Sequence, residues 1–420
     1  MNIIQIVSDT LRRDFLGCYG NNYIHTEHID SLAKDSLVFD NYYTASFPTM
    51  PNRADMFTGK YTLTYLGWAP LPEEEVLLPE ILKDAGFTTK AVVDLPVGYF
   101  FVGTGYNYDR GFADFENIRG QGKERNDINL QRRHESDYCA AATMTAASKW
   151  LERHYREKFF LYVDTWDPHE PWDPPVWYAD MYYRGGFPSQ TFDTMTEYDE
   201  IRDKVRKATA QITENDKRKD RKKRVRLGIK TTTGLGATNL SEIQANLDDE
   251  LERLRALYAG EVTMVDRWVG MLLQKIEDLG LYENTVVIFT TDHGTYLGEH
   301  GYVHKRPHIY EEVGHIPLMI RLPDSEAVTG GRCDAFVQPP DIMPTLLELN
   351  DTTVPSTVQG KSLLPLIKGE TNEIRELAIS SQALVQGNRM TATSHEWSLI
   401  IHYSRQLSEL YHLRTDSKQT

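Results

Sequence analysis

The sequence predicts an α/β protein with a mainly parallel sheet covered by helices on both faces. Short apolar runs rich in β-branched residues alternate with longer helical patterns, and this alternation is typical of that class. The chain is also long enough to bury a large core, since it has 420 residues and 40% hydrophobic content. The runs predicted as strands are residues 2–7, 88–93, 159–163, 285–290 and 316–321.

Acidic residues lie at or just past the carboxyl ends of four predicted strands. These residues are Asp9, Asp94, Asp164 and Asp292. Open parallel sheets bind their ligands beyond the carboxyl ends of the strands. We therefore expect the four acids to converge in space, although they are far apart in the sequence.

The longest predicted helix covers residues 251–279, where apolar residues recur at nearly helical spacing. Gly280 follows it as a C-terminal stop. We predict a catalytic domain over residues 1–350 that carries a charged insertion at about 182–249. We interpret its charged run as a solvated face or a mobile insertion, with a partner-binding patch as the alternative. Short segments after residue 350 predict a small antiparallel α+β subdomain over 351–420.

Charge and cysteine content exclude several classes of function. The net charge of -15 argues against nonspecific binding to nucleic acids or anionic membranes, so an anionic substrate must be met by local positive charge. The cysteines are three in number and far apart, which does not predict a disulfide framework. Because the first predicted strand begins directly after Met1, we expect no signal peptide and a soluble cytoplasmic protein.

Residues 49–53 read TMPNR and predict the start of a helix that binds an anion. Pro51 suits the first helical turn, which places Thr49 at or just before the N-cap, near free amides and the positive end of the helix dipole. Arg53 lies one turn later on the same face and can reach the same anion in a bidentate manner. The alternative interpretation is an ordinary threonine cap with a surface arginine.

This segment resembles the C/S-x-P-x-R segment of sulfatases, which belong to the alkaline phosphatase superfamily. Thr49 stands where that family carries the cysteine or serine that is oxidised to formylglycine. Threonine is a secondary alcohol, so we expect Thr49 to act as an unmodified nucleophile. The resemblance implies an alkaline-phosphatase-like fold with a small C-terminal antiparallel subdomain, which is shorter here than the family usually has.

Two further segments resemble the metal-binding segments of the family. Residues 8–20, SDTLRRDFLGCYG, are similar to D-D-x-R-x-D-x-L-G-x-Y-G, and residues 290–301, TTDHGTYLGEHG, to S-D-H-G-x-x-L-G-E-H-G. The resemblance implies that Asp9, Asp292 and His293 are metal ligands, with Thr10 replacing the second acid of the first segment.

The implied ligand set, which also includes the oxygen of Thr49, predicts one divalent cation. A mixed oxygen and nitrogen set favours Mn²⁺ or Zn²⁺, although Ca²⁺ and Mg²⁺ stay open. Such a cation would lower the pKa of the Thr49 hydroxyl and polarise the ester oxygen.

Two more family segments imply residues that contact the substrate. Residues 304–312, HKRPHIYEE, contain Lys305, to which we assign binding of the ester anion. Residues 167–172, DPHEPW, contain His169, which can protonate the leaving oxygen or simply be a loop histidine fixed between prolines. A two-metal variant would use Asp167, His169 and His308.

The lysine and histidine of the family's G-K-W-H segment are absent. Residues 92–96 read VVDLP, so Asp94 occupies this region. An acid there would repel a sulfate oxygen unless it met a metal or a substrate amine, and the second interpretation is a capping role for Asp94.

Aromatic residues occur in the same predicted loops, where they line a pocket or pack over the sheet. They are Tyr65, Trp68, Tyr99, Phe100, Phe101, Trp166 and Trp172.

The sequence therefore predicts a metal-dependent hydrolase of small anionic esters. Thr49 would attack, Arg53 and Lys305 would hold the ester oxygens, and His169 would assist the leaving group. A phosphodiester, phosphonate ester or phosphomonoester ranks first and a sulfate ester second, because Thr49 cannot become formylglycine and the two G-K-W-H cations are missing. A phosphoryl-group transferase and a noncatalytic homologue that binds an anion or a glycan also stay open. Homo-oligomers are compatible with each of these functions.

Overall fold

The computed structural model describes residues 1–96, 106–121, 132, 134–187, 197–205, 237–305, 308–323, 330–382, 389–402 and 408–420, with backbone alone for 237–247. Tyr99, Phe100, Phe101 and most of the predicted charged insertion lie outside these residues.

Eight strands form the main sheet in the order β10-β2-β9-β6-β1-β5-β3-β4. They are β1 (Asn2–Ser8), β2 (Leu37–Tyr42), β3 (Thr88–Val93), β4 (Asp114–Asn117), β5 (Phe159–Thr165), β6 (Thr285–Thr290), β9 (Leu318–Arg321) and β10 (Gly331–Val337). Two short strands, β7 (Tyr296–Leu297) and β8 (Val303–His304), pair with each other. All five predicted strands are present, whereas β2, β4 and β10 of the main sheet were not predicted.

The prediction of a mainly parallel sheet is confirmed. The central strands β6, β1, β5 and β3 are parallel neighbours, and β4 and β10 each pair in parallel with one further strand. Strand β9 is the exception, because it runs antiparallel to both β2 and β6.

Helices cover both faces of the sheet. They are α1 (Glu27–Lys34), α2 (Thr49–Thr58), α3 (Leu78–Asp84), α4 (Cys139–His154), α5 (Val176–Asp180), α6 (Ala237–Asp278), α7 (Glu311–Gly314), α8 (Ile342–Glu348) and α9 (Leu364–Ile367). Helix α6 begins 14 residues before the predicted start, and Gly280 follows its end with φ of 64°.

Alternating strand residues separate two hydrophobic cores. Ile4 and Ile6 of β1 pack in the core that includes α1, α4 and α6. Ile3 and Val7 point to the opposite face and pack in the core that includes α2, α3 and α8. The parity of a residue along a central strand, that is, whether it occupies an odd or an even position, therefore determines which set of helices it contacts.

The predicted C-terminal antiparallel subdomain is confirmed. Strands β11 (Ala378–Ser381), β12 (Arg389–Thr393), β13 (Trp397–His402) and β14 (Glu409–His412) form an antiparallel sheet in that order. The Phe47 amide donates to the carbonyl of Ser381 at 2.9 Å, which fixes the loop before α2. Among the described helices, none is both long enough and apolar enough to cross a membrane.

Candidate active site

The four strand-end acids lie at one edge of the main sheet, as the sequence predicts. Asp9 and Asp94 directly follow β1 and β3, Asp164 is the penultimate residue of β5, and Asp292 follows β6. Their strands are adjacent in the order β6-β1-β5-β3, so acids from distant parts of the sequence become neighbours. All four side chains are fully buried.

Three of these acids surround the guanidinium of Arg53. Its Nε and Nη2 donate to the two oxygens of Asp164, each at 2.7 Å, and its Nη1 donates to Asp292 Oδ2 at 2.7 Å. Its Nη2 also lies 3.1 Å from Asp9 Oδ2. Arg53 is itself fully buried, and burial opposes its charge, but Asp164 and Asp292 outweigh that effect and raise its pKa.

This geometry corrects the expected role of Arg53. The sequence suggested a bidentate contact with the substrate ester, but the bidentate partner in the structure is Asp164. The physical reason is that several buried carboxylates require a buried counter-ion. Arg53 thus orients the acids, and its Nη1 also donates to the carbonyl of Thr49 at 3.1 Å.

Thr49 lies at the N-terminus of α2, fully buried beside the acids. Pro48 is the N-cap and Thr49 the first helical residue, so Thr49 lies one position further into the helix than expected. Pro51 lies in the first turn, as predicted. The Thr49 hydroxyl accepts a hydrogen bond from Lys305 Nζ at 3.2 Å and lies 3.3 Å from His293 Nε2.

The tautomer of His293 follows from its hydrogen bonds. Its Nδ1 lies 2.9 Å from the carbonyl of Gly294, and a carbonyl can only accept, so Nδ1 carries the proton. The lone pair of Nε2 therefore points toward Thr49. Burial lowers the His293 pKa to about 4, which keeps the ring neutral and able to bind a metal.

The residues present fit a divalent cation. One ligand atom from each of Asp9, Asp292 and His293 lies within 4.8 Å of the others. Asp9 Oδ2 is buried and, apart from its ion-pair contact with Arg53, has no hydrogen-bond donor among the described residues, as expected for an oxygen that faces a cation. Burial and the neighbouring Asp292 raise the pKa of Asp9, and a bound cation would offset this repulsion.

Thr10 lies against both carboxylates of this group. Its hydroxyl donates to Asp9 Oδ1 at 2.6 Å, and its amide donates to Asp292 Oδ1 at 3.0 Å. Its φ is 64°, a left-handed conformation that is rare for a β-branched residue. Thr10 therefore contributes no carboxylate to the centre and occupies one oxygen of Asp9.

His169 stacks on Trp166, with ring centroids 3.7 Å apart, and the Trp166 ring lies 5.5 Å from Lys305 Nζ. Its Nδ1 lies 2.6 Å from the carbonyl of Glu170 and so carries a proton, which leaves Nε2 as the acceptor. Burial lowers its pKa to about 3. A histidine in this state cannot protonate a leaving group until a bound anion raises its pKa.

Lys305 completes the pocket. Its Nζ reaches Thr49, lies 3.9 Å from Asp9 Oδ1 and is 5.5 Å from the ring centroid of Trp166. The predicted placement of a cation beside Thr49 is therefore present in the structure. Trp166 borders this pocket, whereas Trp172 is fully buried and packs edge-on against Tyr258.

The carboxylate of Asp94 accepts hydrogen bonds from donors of the protein itself. Its Oδ1 accepts from the Trp166 amide, and its Oδ2 accepts from the hydroxyls of Thr143 at 2.8 Å and Thr165 at 2.9 Å. Among the described residues these donors belong to α4 and to the end of β5, and none belongs to the loop that follows Asp94.

The two-metal variant does not fit the structure. Asp167 accepts from Gln121 Nε2 at 2.7 Å, and His308 belongs to a different group with His402 and Glu409. In that group Arg389 donates to the Nδ1 atoms of His402 at 3.0 Å and His308 at 3.2 Å. A metal bound to the Nε2 atoms of these two histidines would require protons on their Nδ1 atoms. Those protons would face the N–H groups of the Arg389 guanidinium, so Arg389 is the cation of this group.

Sequence reasoning missed two residues that support the site. The Tyr162 hydroxyl donates to Asp164 Oδ2 at 2.7 Å, and the position of Tyr162 two residues earlier on β5 was an available signal because i and i+2 share a face. The Tyr258 hydroxyl donates to the carbonyl of Thr10 and accepts from the amide of Arg12, both at 2.8 Å. Nothing in the sequence of α6 distinguishes Tyr258 from its neighbours.

Comparison with protein families gives two matches that together span the chain. The family described as Sulfatase matches residues 1–352. The family described as N-sulphoglucosamine sulphohydrolase, C-terminal, matches residues 298–420.

Individual relatives agree with these matches. The chain is 25% identical over 416 residues to an N-acetylglucosamine-6-O-sulfatase of Bacteroides thetaiotaomicron, covering 88% of this chain and 71% of that one. It is also 25% identical to an arylsulfatase of Clostridium perfringens, covering 89% and 80%. The crystal structure of a phosphonate monoester hydrolase of Agrobacterium radiobacter superposes with a TM-score of 0.75 at 18% identity, covering 100% and 90%, which shows a shared fold.

Proposed function

This chain belongs to the sulfatase family, and we propose that it hydrolyses sulfate esters with the unmodified hydroxyl of Thr49 as the nucleophile. The observation that carries this proposal is the position of that hydroxyl, 3.2 Å from Lys305 Nζ and 3.3 Å from Nε2 of His293, which is grouped with Asp9 and Asp292. The family matches support a hydrolase of sulfate or phosphate esters, and the named sulfatase relatives favour sulfate. They do not support a noncatalytic homologue.

In the proposed reaction, Thr49 Oγ loses its proton to solvent and forms a bond to sulfur, while the bond from sulfur to the leaving oxygen breaks. Lys305 stabilises negative charge on Thr49 and on the ester group. Binding of the anion raises the pKa of His169, so that its Nε2 can carry a proton to the leaving oxygen. Water then attacks the Thr49 ester at sulfur, the bond from sulfur to Thr49 Oγ breaks, and Oγ regains a proton as sulfate is released.

Members of this family are metal-dependent, and we propose that Asp9, Asp292 and His293 hold a Mn²⁺ or Zn²⁺ ion. When bound, it would lower the pKa of the Thr49 hydroxyl and polarise the ester. Arg53 keeps Asp9 and Asp292 in place whether or not the ion is present. The three carboxylates around Arg53 carry one more negative charge than Arg53 and Lys305 neutralise, which favours cation binding.

Hydrolysis of phosphodiesters or phosphonate esters is the second candidate, and Thr49 is the observation that favours it. A formylglycine hydrate can expel sulfate by breaking a C–O bond, whereas a threonine sulfate must be hydrolysed at sulfur. Phosphorus accepts a second in-line attack more readily when its oxygens are neutralised. The sequence alone placed phosphoesters first; the comparisons do not confirm that order and give sulfate esters more support.

A panel of substrates with the same leaving group tests this order. We would measure kcat/KM for para-nitrophenyl sulfate, bis-para-nitrophenyl phosphate and a para-nitrophenyl phosphonate at one pH, with Mn²⁺ and then with Zn²⁺. N-acetylglucosamine-6-sulfate would serve as a sugar substrate. We expect the sulfate to have the highest value, with each activity lost in Thr49→Ala. A higher kcat/KM for the diester or the phosphonate would establish the second candidate instead.

A further inference from the structure

Asp94 is a buried acid whose hydrogen-bond partners among the described residues are neutral donors. Besides the Trp166 amide, it accepts from Thr143 of α4 and from Thr165 at the end of β5. These bonds join three separate elements at the point where the chain leaves β5 and enters the pocket. A carboxylate is suited to this position because it offers acceptors to several donors at once.

The segment that Asp94 fixes carries two groups of the active site. Trp166 stacks on His169, with centroids 3.7 Å apart and planes inclined by 29°. The same indole ring lies 5.5 Å from Lys305 Nζ. The backbone of Trp166 therefore determines where the imidazole of His169 lies relative to the cation that contacts Thr49.

The burial of the Asp94 carboxyl lowers the stability of the folded protein unless its hydrogen bonds offset the loss of water. Its side chain is fully buried, and burial together with the nearby Asp167 raises its pKa. A buried carboxyl whose hydrogen-bond partners are neutral is expensive unless its hydrogen bonds are all made. An alanine here would leave the Trp166 amide and two hydroxyls without their acceptor.

We propose that Asp94 is a positioning residue that acts through Trp166 on His169, and so controls proton delivery to the leaving oxygen. This inference rests on the proposed function, because it assigns Asp94 to one step of that reaction. It predicts that the need for Asp94 grows as the leaving group becomes more basic. Misplacing a positioned group by about 1 Å can cost on the order of 10²-fold in rate.

The first experiment compares Asp94→Ala with Asp94→Asn on an alkyl sulfate and an aryl sulfate. We expect Asp94→Ala to reduce kcat/KM on the order of 10²-fold for the alkyl sulfate and much less for para-nitrophenyl sulfate, whose leaving group needs no proton. Asn should largely rescue the alkyl activity, since its oxygen can accept from the Trp166 amide while its NH₂ donates to the threonine hydroxyls.

Asp266→Ala is the matched control. Asp266 is also a buried acid that accepts backbone hydrogen bonds, from Ile29 at 2.8 Å and His28 at 3.2 Å, but it belongs to α6 and binds α1. It should lose stability without changing the ratio of alkyl to aryl activity. In addition, the losses in Asp94→Ala and His169→Ala should not add in the double variant. Equal losses on both substrates, or additive losses, would overturn the proposal.

The second experiment needs no substrate. The difference in fluorescence between the protein and its Trp166→Phe variant isolates the emission of Trp166. This difference spectrum should change in an Asp94→Ala background and stay the same in Asp94→Asn and Asp266→Ala backgrounds. An unchanged Trp166 signal in the Asp94→Ala background would overturn the positioning role. If no ester is hydrolysed, the proposed function fails while this measurement still decides whether Asp94 positions Trp166.

Discussion

Asp164 and Asp94 lie on adjacent strands at the same edge of the sheet but have different surroundings. The amide of Asp94 donates to the carbonyl of Asp164 at 3.1 Å, so their backbones touch. Asp164 pairs with the guanidinium of Arg53 beside α2, whereas Asp94 accepts from neutral donors, one of them on α4. Helices α2 and α4 pack on opposite faces of the sheet.

The difference arises from the parity of each residue along its strand. Val163 packs with α4 and Val93 packs with α2, so the residue that follows each valine points to the other face. The strand-end rule predicts that acids converge at one edge of a sheet. Parity decides which of them share the cation-rich side, where the nucleophile lies.

Replacement of Arg53 by alanine should have the largest effect on stability. It would leave Asp9, Asp164 and Asp292 buried without their shared counter-ion, a loss of about 3 to 5 kcal/mol when one partner of a buried pair is removed. Urea unfolding without added metal measures this difference. Asp94→Asn is the comparison on the other face and should cost much less.

A divalent cation should restore part of the lost stability, because it can replace the missing positive charge. An Arg53→Ala variant whose free energy of unfolding is within about 1 kcal/mol of the parent would show that the three acids are protonated in the folded state. The inferred difference between the two faces of the sheet, with charged acids on one face and a neutral hydrogen-bond network on the other, would then be wrong.

Lys305 tests the same comparison on the face of the sheet that carries Thr49. Lys305→Ala should lower kcat/KM on the order of 10²-fold to 10³-fold, because it removes a cation that contacts both the nucleophile and the pocket. Lys60→Ala is the control, since Lys60 pairs with Glu75 at 2.6 Å. Retention of activity in Lys305→Ala would assign the stabilisation of negative charge on Thr49 to a cation held by Asp9, Asp292 and His293.

Thr10 offers a test of the charge at the centre. Thr10→Asp adds a carboxylate between Asp9 and Asp292, so Mn²⁺ affinity measured by calorimetry should increase by roughly ten-fold or more. Thr10→Asn is the control: asparagine tolerates the left-handed backbone at φ of 64° as well as aspartate does, but it adds no charge. Equal affinity in the two variants would mean that relief of backbone strain, and not charge, governs binding.

A buried acid far from the site should give the smallest effect. Burial raises the pKa of Asp266 to about 7. Between its ordinary value and about 7, the folded protein binds the proton more tightly, so this contribution to stability is present at low pH and decreases as pH rises. The thermal midpoint of the parent should therefore fall relative to that of Asp266→Asn between about pH 4 and pH 7. A constant difference would place the Asp266 pKa outside that window.

Much of the fold could be predicted because the central strands are continuous apolar runs. Residues 88–93 and 285–290 match β3 and β6 residue for residue. The strands that were missed are less distinct: β4 is half exposed, and β10 begins with Gly331 and carries charged residues. The direction of β9 depends on its neighbours in the sheet and not on its own residues.

The sequence predicted which residues belong to the site better than it predicted the contacts between them. The positions of Asp9, Thr49, Asp292 and His293 follow from motif order and strand ends, and Lys305 lies where expected. The partners of Arg53 could not be inferred, because they depend on how many carboxylates become buried around it. The face of the sheet toward which Asp94 points could have been inferred from the alternation of residues along β3.

The most direct test of the central claim is the turnover of Thr49→Ala compared with Thr49→Ser. Both variants must retain Mn²⁺ binding and the parent's thermal midpoint, and expression without formylglycine-generating activity keeps the serine unmodified. We predict that alanine lowers kcat by at least roughly 10³-fold, as expected when a nucleophile is removed, while serine retains measurable turnover. A Thr49→Ala protein with nearly the parent's kcat would contradict the claim, because water would then attack the ester directly and Thr49 would only begin helix α2.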